Sequence, residues 1–447
     1  MEKRTFLKLT TAAMASPLLA PVENWIPQEG LKNWAGNLTY STNKIAYPKS
    51  VEELRKLITG RDKMKMLGTR HCFNKIADSV DYFVSLRDMN KVVKLDAEAK
   101  TVTVEGGMKY GDLCPFLESK GFALHNLASL PHISVAGACT TATHGSGVKN
   151  GNLSTGVSAI EFITADGELM QISRKEDADK FNAMVVGLGA LGAITKVTLD
   201  IIPTYSMRQY VYLDLPVAEL QKHFDAILAV AYSVSLFTDW QSDTVNEVWI
   251  KAHENERLDF SKVKKFYSAP AATKNMHPIA KLSAENCTEQ MGVPGRWFER
   301  LPHFKMGFTP SSGVELQSEY FVPKKHGLDA FMAISKLGKQ VGPHLFISEI
   351  RTIDADDFWM SPCYKQPSTT IHFTWKQDWP AVSKLLPLVE AALAPFDPRP
   401  HWGKLFAMTP AILRSKYPKL EEFKKLVATV DPKAKFRNDF LSKNFYV

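Results

Sequence analysis

Cysteine is scarce in this chain. The five present, Cys72, Cys114, Cys139, Cys287 and Cys363, form an odd set without metal-ligand spacing. A disulfide framework and a zinc site are therefore not indicated, and no metal is expected. No uninterrupted run of about 20 apolar residues occurs, so membrane insertion is not expected either. The chain has no internal repeat and no low-complexity segment. Its formal charge is +8, but Lys and Arg are dispersed rather than set in a stripe between exposed aromatics. That distribution argues against a nucleic-acid partner.

What is present is the balance of a soluble globular protein: 45% hydrophobic and 23% charged residues over 447 positions. Such a chain buries a sizeable core, and at this length two domains are expected. The N-terminus reads as an export address. Lys3-Arg4-Thr5-Phe6-Leu7-Lys8 precedes an Ala/Thr-rich apolar stretch from Leu9 to Ala20, with no acidic residue between Glu2 and Glu23. This resembles a twin-arginine signal with Lys in place of the first Arg. Residues 1–22 are thus taken as a leader, and the mature protein as exported to the periplasm or beyond the cell.

From Ile45 to Leu113 short β-branched segments alternate with turns. One helix is expected from Val51 to Ile58 behind the cap residue Ser50. Strands are expected at Lys63 to Leu67, Val84 to Leu86, Val92 to Leu95, Thr101 to Val104, Ala159 to Thr164 and Thr195 to Ile202. Near Pro203 the pattern shifts to longer amphipathic segments with more Trp and Phe, which marks a domain boundary.

Three Gly-rich segments stand out. In Leu67-Gly68-Thr69-Arg70-His71-Cys72-Phe73-Asn74 a histidine and small residues follow a short strand. A missing Cβ at Gly68 lets backbone approach a ligand; by residue type alone His71 suits a structural role as well as a cofactor contact. The segment Ser129-Leu130-Pro131-His132-Ile133-Ser134-Val135-Ala136-Gly137-Ala138, continuing through Thr143-His144-Gly145-Ser146-Gly147, is dense in small side chains and hydroxyls. Such loops aim several backbone N–H groups at one anion, as a pyrophosphate requires. The third, Gly187-Leu188-Gly189-Ala190-Leu191-Gly192, satisfies a dinucleotide pattern but leads into the β-branched, alternating Ala193 to Ile202 instead of a helix. A nicotinamide-binding unit is rejected on that ground, and a tight turn into a strand, with Gly192 and Ile194 beside the cofactor, is expected instead.

In the second half, Glu349 and Arg351 of Leu345-Phe346-Ile347-Ser348-Glu349-Ile350-Arg351 share one strand face, about 6.6 Å apart at roughly 3.3 Å per residue. In Ile371-His372-Phe373-Thr374-Trp375-Lys376 the residues His372, Thr374 and Lys376 share a face opposite Ile371, Phe373 and Trp375. A solvated face is the ordinary reading of either strand, and a pocket wall the other. Pro400-His401-Trp402-Gly403-Lys404 adds a lysine able to offset developing negative charge.

In this order, the segments resemble the vanillyl-alcohol-oxidase-type flavoproteins, specifically the alditol oxidase branch, which is related to the aldonolactone oxidases. The segments are those at His71, Ser129 to Gly137, Thr143 to Gly147, Glu349 to Arg351, His372 to Trp375, His401 to Lys404 and Phe436 to Asp439. The resemblance implies an α+β fold: a bipartite FAD-binding domain of PCMH/VAO type over residues 23–205, and a substrate domain at 206–395 whose antiparallel sheet is covered by helices. A segment at 396–447 would close the flavin site. It implies FAD held covalently by His71, in a cradle of Gly68, Thr69, Arg70, Cys72, Ser129, Ser134, Gly137, Thr143, His144, Gly145, Ser146, Gly192, Ile194 and His401. Where the family usually reads Gly-x-Gly-His-Ser, this chain has Gly68-Thr69-Arg70-His71-Cys72, and Leu130 stands where relatives carry a second, cysteinyl link.

For the substrate the resemblance implies Ser129, Glu349, Arg351, Thr374 and Lys404 as the pocket and Arg351, Lys404, His372 and Glu349 as the catalytic set. The activity implied is oxidation of a polyol's terminal hydroxyl to the aldehyde with oxygen as acceptor, by a monomer. An aldonolactone oxidase or dehydrogenase, and a non-catalytic carbohydrate-binding protein, are the alternatives.

Overall fold

The computed structural model describes residues 30–256, 258–305 and 314–446, so the expected leader lies outside the described residues. Three short parallel strands open the fold, β1 (Ile45–Ala46), β2 (Lys65–Met66) and β3 (Phe83–Val84), in the order β1–β3–β2. Helix α1 (Val51–Thr59) starts where expected: the Ser50 side chain accepts the Glu53 N–H, and Glu52 and Glu53 occupy the first turn, both favourable at the positive end of the helix dipole. Leu54 and Ile58, four residues apart, bury one face against Met64, Val84 and Ile163.

A second subdomain is an antiparallel sheet of β4 (Val92–Asp96), β5 (Thr101–Glu105), β6 (Val157–Ile163), β7 (Leu169–Ser173) and β8 (Ala193–Asp200), in the order β4–β5–β8–β6–β7. Two helices, α2 (Tyr110–Ser119) and α3 (Val135–Thr140), pack on it. Strand β8 alternates buried and half-buried residues, the period of two that its sequence shows. The Gly-rich segment before it is a turn, with Leu188, Gly189 and Gly192 all in left-handed backbone. Gly192 is required there, since a Cβ would stand 2.4 Å from the Ile163 carbonyl oxygen.

From Ser206 the chain builds an eight-stranded antiparallel sheet: β9 (Ser206–Pro216), β10 (Ser233–Thr238), β11 (Thr244–His253), β12 (Gly295–Arg296), β13 (Glu315–Pro323), β14 (Leu345–Ile353), β15 (Ser368–Lys376) and β16 (Arg399–Pro400). Its order is β12–β9–β11–β10–β14–β15–β13–β16. Helices α4 (Val217–Leu228), α5 (Gly327–Ser335) and α6 (Trp379–Leu393) cover one face, packing on Ile350, Ile371, Phe373 and Trp375. The other face is the polar one, and it is not solvated: Glu349 and Arg351 are each 5% exposed, His372 and Thr374 each 6%. Lys376 departs from the expected set, since it is exposed at the strand's end and donates to the Pro343 carbonyl. After β16 the chain returns to the first domain, where α7 (Leu420–Val430) buries Leu420, Phe423 and Val427 in its core.

Candidate active site

An elongated cavity runs between the two sheets. At one end it is lined by Gly106, Gly107, Lys109, Phe162, Gly192 and Ile194, and at the other by the polar face of the eight-stranded sheet together with Ser129 and Lys404. Leu67, Gly68, Thr69, Ser134, Gly137 and Gly189 line both ends and join them. The middle is open because side chains are missing: a Cβ on Gly137 would lie 2.6 Å from Ser134 Oγ, and one on Gly68 3.0 Å from the same atom. An elongated dinucleotide fits such a trough, with backbone instead of side chains against its linking phosphates.

His71 stands in the cavity wall. Its ring stacks on Trp34 at 5.3 Å, Nδ1 lies 3.0 Å from Thr69 Oγ1, and Nε2 is buried with no partner among the described residues. Burial first, then the neighbouring His132, pushes its pKa down to about 4. It is a neutral imidazole with an unsatisfied nitrogen, which suits bond formation to a cofactor. Arg70 precedes it in left-handed backbone (φ +64°), donating from its side chain to the Lys32 carbonyl. The segment is tied to the Lys404 loop: Phe73 N donates to the Gly403 carbonyl at 2.7 Å, and Asn74 Nδ2 donates to the carbonyls of Trp402 and Lys404 at 2.8 and 2.7 Å.

Of the expected cradle, Arg70, Cys72, Ser129, Thr143, His144 and His401 also reach the cavity. Gly145 and Ser146 do not: their half of the loop turns away to the eight-stranded sheet. Ser146 Oγ donates to the Val234 carbonyl, and its own carbonyl accepts from Asn150 Nδ2 at 2.9 Å. Gly145 is held where a Cβ would meet the Leu127 carbonyl oxygen at 2.4 Å. Their contacts anchor the loop.

Strand register assembles the polar wall. Phe237, Glu349, His372 and Glu319 are successive cross-strand partners on β10, β14, β15 and β13, so their side chains share one face. Glu319, which the sequence reading missed, is the hub. Its Oε1 accepts from Arg351 Nη2 at 2.9 Å and lies 3.2 Å from His144 Nε2, and its Oε2 accepts from Lys404 Nζ at 2.6 Å. Two further residues were missed. His303 Nε2 lies 2.7 Å from Glu349 Oε1, and Gln317 Oε1 lies 3.1 Å from His372 Nε2. Ser129 Oγ is 3.5 Å from Arg351 Nη1, and Thr374 lines the same cavity.

The electrostatics follow from burial and pairing. For Glu319 burial works to raise the pKa, but Lys404, His144 and Arg351 together hold it well below the usual carboxylate value. Glu349 is likewise lowered, against its burial, by Arg351 and His303. Burial lowers Lys404, with Glu319 resisting; burial and then Lys404 hold His372 well below its ordinary value. The wall thus presents two ionised carboxylates, two cations paired with them, and a neutral histidine. Among the described residues no cluster of three or more His, Cys, Asp or Glu is placed to hold a metal ion, and no helix is long and apolar enough to cross a membrane.

Comparison with known proteins identifies the family and the fold. The FAD binding domain family matches residues 42–173, and the D-arabinono-1,4-lactone oxidase family matches residues 311–444. An alditol oxidase of a Streptomyces species is 43% identical over 92% of this chain and 97% of its own. The mouse L-gulonolactone oxidase is 26% identical over 93% and 98%. Among solved structures, a cholesterol oxidase from B. sterolicum superposes with a TM-score of 0.77 at 14% identity, covering 96% of this chain and all of its own. A solvent-stable cholesterol oxidase gives 0.76 at 15%, covering 92% and 96%. These two share the bipartite fold alone. With its FAD-binding domain and an alditol oxidase relative 43% identical along nearly its whole length, the chain is an FAD-dependent oxidoreductase and belongs to the alditol oxidase family.

Proposed function

We propose that the protein oxidises the terminal hydroxyl of an alditol, such as xylitol or sorbitol, to the aldehyde, with oxygen reduced to hydrogen peroxide. The observation that carries this reading is the buried row Glu349, His372 and Glu319 with Arg351 and Lys404 facing one cavity. A wall with that many buried hydrogen-bonding groups rejects ligands lacking hydroxyls far more strongly than an apolar one. FAD, when bound, supplies the hydride acceptor; Gly68, Thr69, Ser134, Gly137 and Gly192 would hold it and His71 would carry the covalent bond. The protein's own groups do the rest. Glu349 and Ser129 hold inner hydroxyls, and Arg351 and Lys404 stabilise the alkoxide formed at the terminal oxygen.

His372 fits the base. Gln317 Nε2 donates to Glu315, which leaves Gln317 Oε1 as the acceptor for a proton on His372 Nε2. Nδ1 then carries the lone pair that takes the hydroxyl proton. Covalent attachment through His71 and export of an already folded protein would be consistent with each other, since the cofactor could not be lost outside the cytoplasm. Acid precipitation tests the tether: yellow colour should stay in the pellet for wild type and enter the supernatant for His71→Ala.

A second reading, oxidation of an aldono-1,4-lactone, is favoured by the family match over residues 311–444. Oxygen consumption on xylitol, sorbitol and gulono-1,4-lactone separates the two. Turnover of the polyols is the expected result; turnover of the lactone alone, or only with an artificial acceptor in place of oxygen, would overturn the alditol oxidase reading.

A further inference from the structure

At the edge of the polar wall, where His303 lines the cavity and Lys251 lies behind it, is a buried pair that the chemistry above does not use. Lys251 on β11 is 1% exposed and is flanked across the sheet by the neutral Gln209 and Ser233. Its Nζ contacts two acceptors, the Leu301 carbonyl oxygen and, at 3.0 Å, His303 Nδ1. Charged or neutral, an amine has hydrogens enough for both, so in either state it can donate to Nδ1. With Lys251 donating to Nδ1 and the ionised Glu349 able only to accept, the proton of a neutral His303 sits on Nε2, which donates to Glu349 Oε1 at 2.7 Å. Burial first, then Lys251, pushes the His303 pKa down to about 4, so the ring is neutral.

His303 has little freedom to do otherwise. Its backbone N–H donates to the Ser129 carbonyl at 3.1 Å, and its ring sits edge-on to Phe237 and Trp249 at 5.5 and 5.3 Å. The second contact of Glu349, from Arg351 Nε at 3.5 Å, falls on the same oxygen, Oε1. Among the described residues both contacts of the Glu349 carboxylate therefore lie on one oxygen, and Oε2 is left to accept from a ligand.

We propose that Lys251 and His303 are a positioning relay: Lys251 fixes the His303 tautomer, His303 engages Glu349 Oε1, and Glu349 thereby presents Oε2 to an inner hydroxyl of the substrate. The role in substrate hold rests on the polyol reading above; the tautomer does not. Neither residue removes the proton or touches the reacting carbon, so the relay acts on binding. Without the lysine donor, the Nε2–H form loses one of the two contacts that favour it, the Nδ1–H form gains population, and Glu349 is donated to less firmly.

The test compares Lys251→Met, which keeps the length of the side chain but no donor, with Lys251→Gln, whose amide can still donate to Nδ1. Expected for Lys251→Met is a rise of about tenfold in KM for xylitol with kcat within about twofold of wild type, the signature of lost binding common to ground and transition states. Lys251→Gln should recover most of that loss, and flavin content should be unchanged in both. A wild-type KM in Lys251→Met, or an equal KM rise in both variants, would overturn the role in substrate hold. The second arm needs no substrate: in protein with isotope-labelled histidine, the nitrogen resonances of His303, assigned by their absence in His303→Gln, should report the Nε2–H form in wild type and a mixture in Lys251→Met. An Nδ1–H ring in wild type, or an unchanged ring in Lys251→Met, overturns the relay. Wild-type protein that shows the Nε2–H form but turns over no polyol contradicts the substrate reading and not the relay.

Discussion

Along the flavin-domain wall of the cavity, Gly68, Ser134, Gly137 and Gly189 bring backbone to the surface, whereas the wall contributed by the eight-stranded sheet carries Glu319, Glu349 and Arg351, with Lys404 beside them. The first wall is made by removing side chains, and each position there acts mainly on space. The second is made of charges whose ionisation depends on one another, because Glu319, Glu349 and Arg351 are buried together and the half-buried Lys404 pairs with Glu319. A substitution in the first should therefore be felt as a steric event, and one in the second as an uncompensated charge.

Glu319→Gln should give the largest effect. It leaves Arg351 and Lys404 without their shared carboxylate, and loss of one partner from a buried pair costs about 3–5 kcal/mol. Urea unfolding is the measurement. Because folding holds Glu319 below its ordinary 4.5, its contribution is complete above that pH and is lost as pH falls through the lower folded value. The variant should therefore show a shallower acid-side decline than wild type; equal stability and slope would mean the charged wall is not mutually dependent.

Next come Arg351→Ala and Lys404→Ala. On the proposed mechanism each removes a cation whose interaction grows as the alkoxide forms, with an expected fall in kcat of about 10²- to 10³-fold and no change in flavin content. Near-normal single-turnover rates with xylitol would place the active face elsewhere. Gly192→Ala probes the opposite wall. Its left-handed backbone (φ +146°) and the 2.4 Å approach to the Ile163 oxygen should cost about 1–3 kcal/mol in stability and lower flavin content. The kcat of the flavin-loaded fraction should be spared.

Which parts of these walls could be read from the sequence follows from the same contrast. The glycine-dense loops and the alternation in β14 and β15 are visible because backbone exposure and a period of two leave marks in residue order. Glu319 was missed although Glu315, Gln317 and Glu319 alternate in the same way: alternation alone does not tell a solvated face from a buried one, and only the register puts β13 beside β15. Lys251 lies in a strand buried along almost its whole length, where no periodicity singles it out. His303 lies in irregular chain, with no pattern to place it. That Gly145 and Ser146 lie outside the cavity lining was not legible, since composition does not show where a loop turns.

Glu349→Gln sharpens the comparison at its mildest point. The amide keeps an acceptor oxygen but loses the charge, so xylitol KM should rise by about tenfold while kcat changes less. A kcat loss as large as that of Arg351→Ala would move Glu349 from holding hydroxyls to the reacting centre.

The most direct test of the charged wall as a polyol site is anaerobic rapid mixing of the wild-type protein with xylitol and, separately, with a simple alcohol bearing one hydroxyl, following the visible absorbance of the bound flavin. Fast bleaching by xylitol and none on the same timescale by the simple alcohol is the expected result. Equal bleaching by both, or bleaching by neither, would contradict the assignment of Glu349, Arg351, His372 and Lys404 to the recognition and oxidation of a polyol.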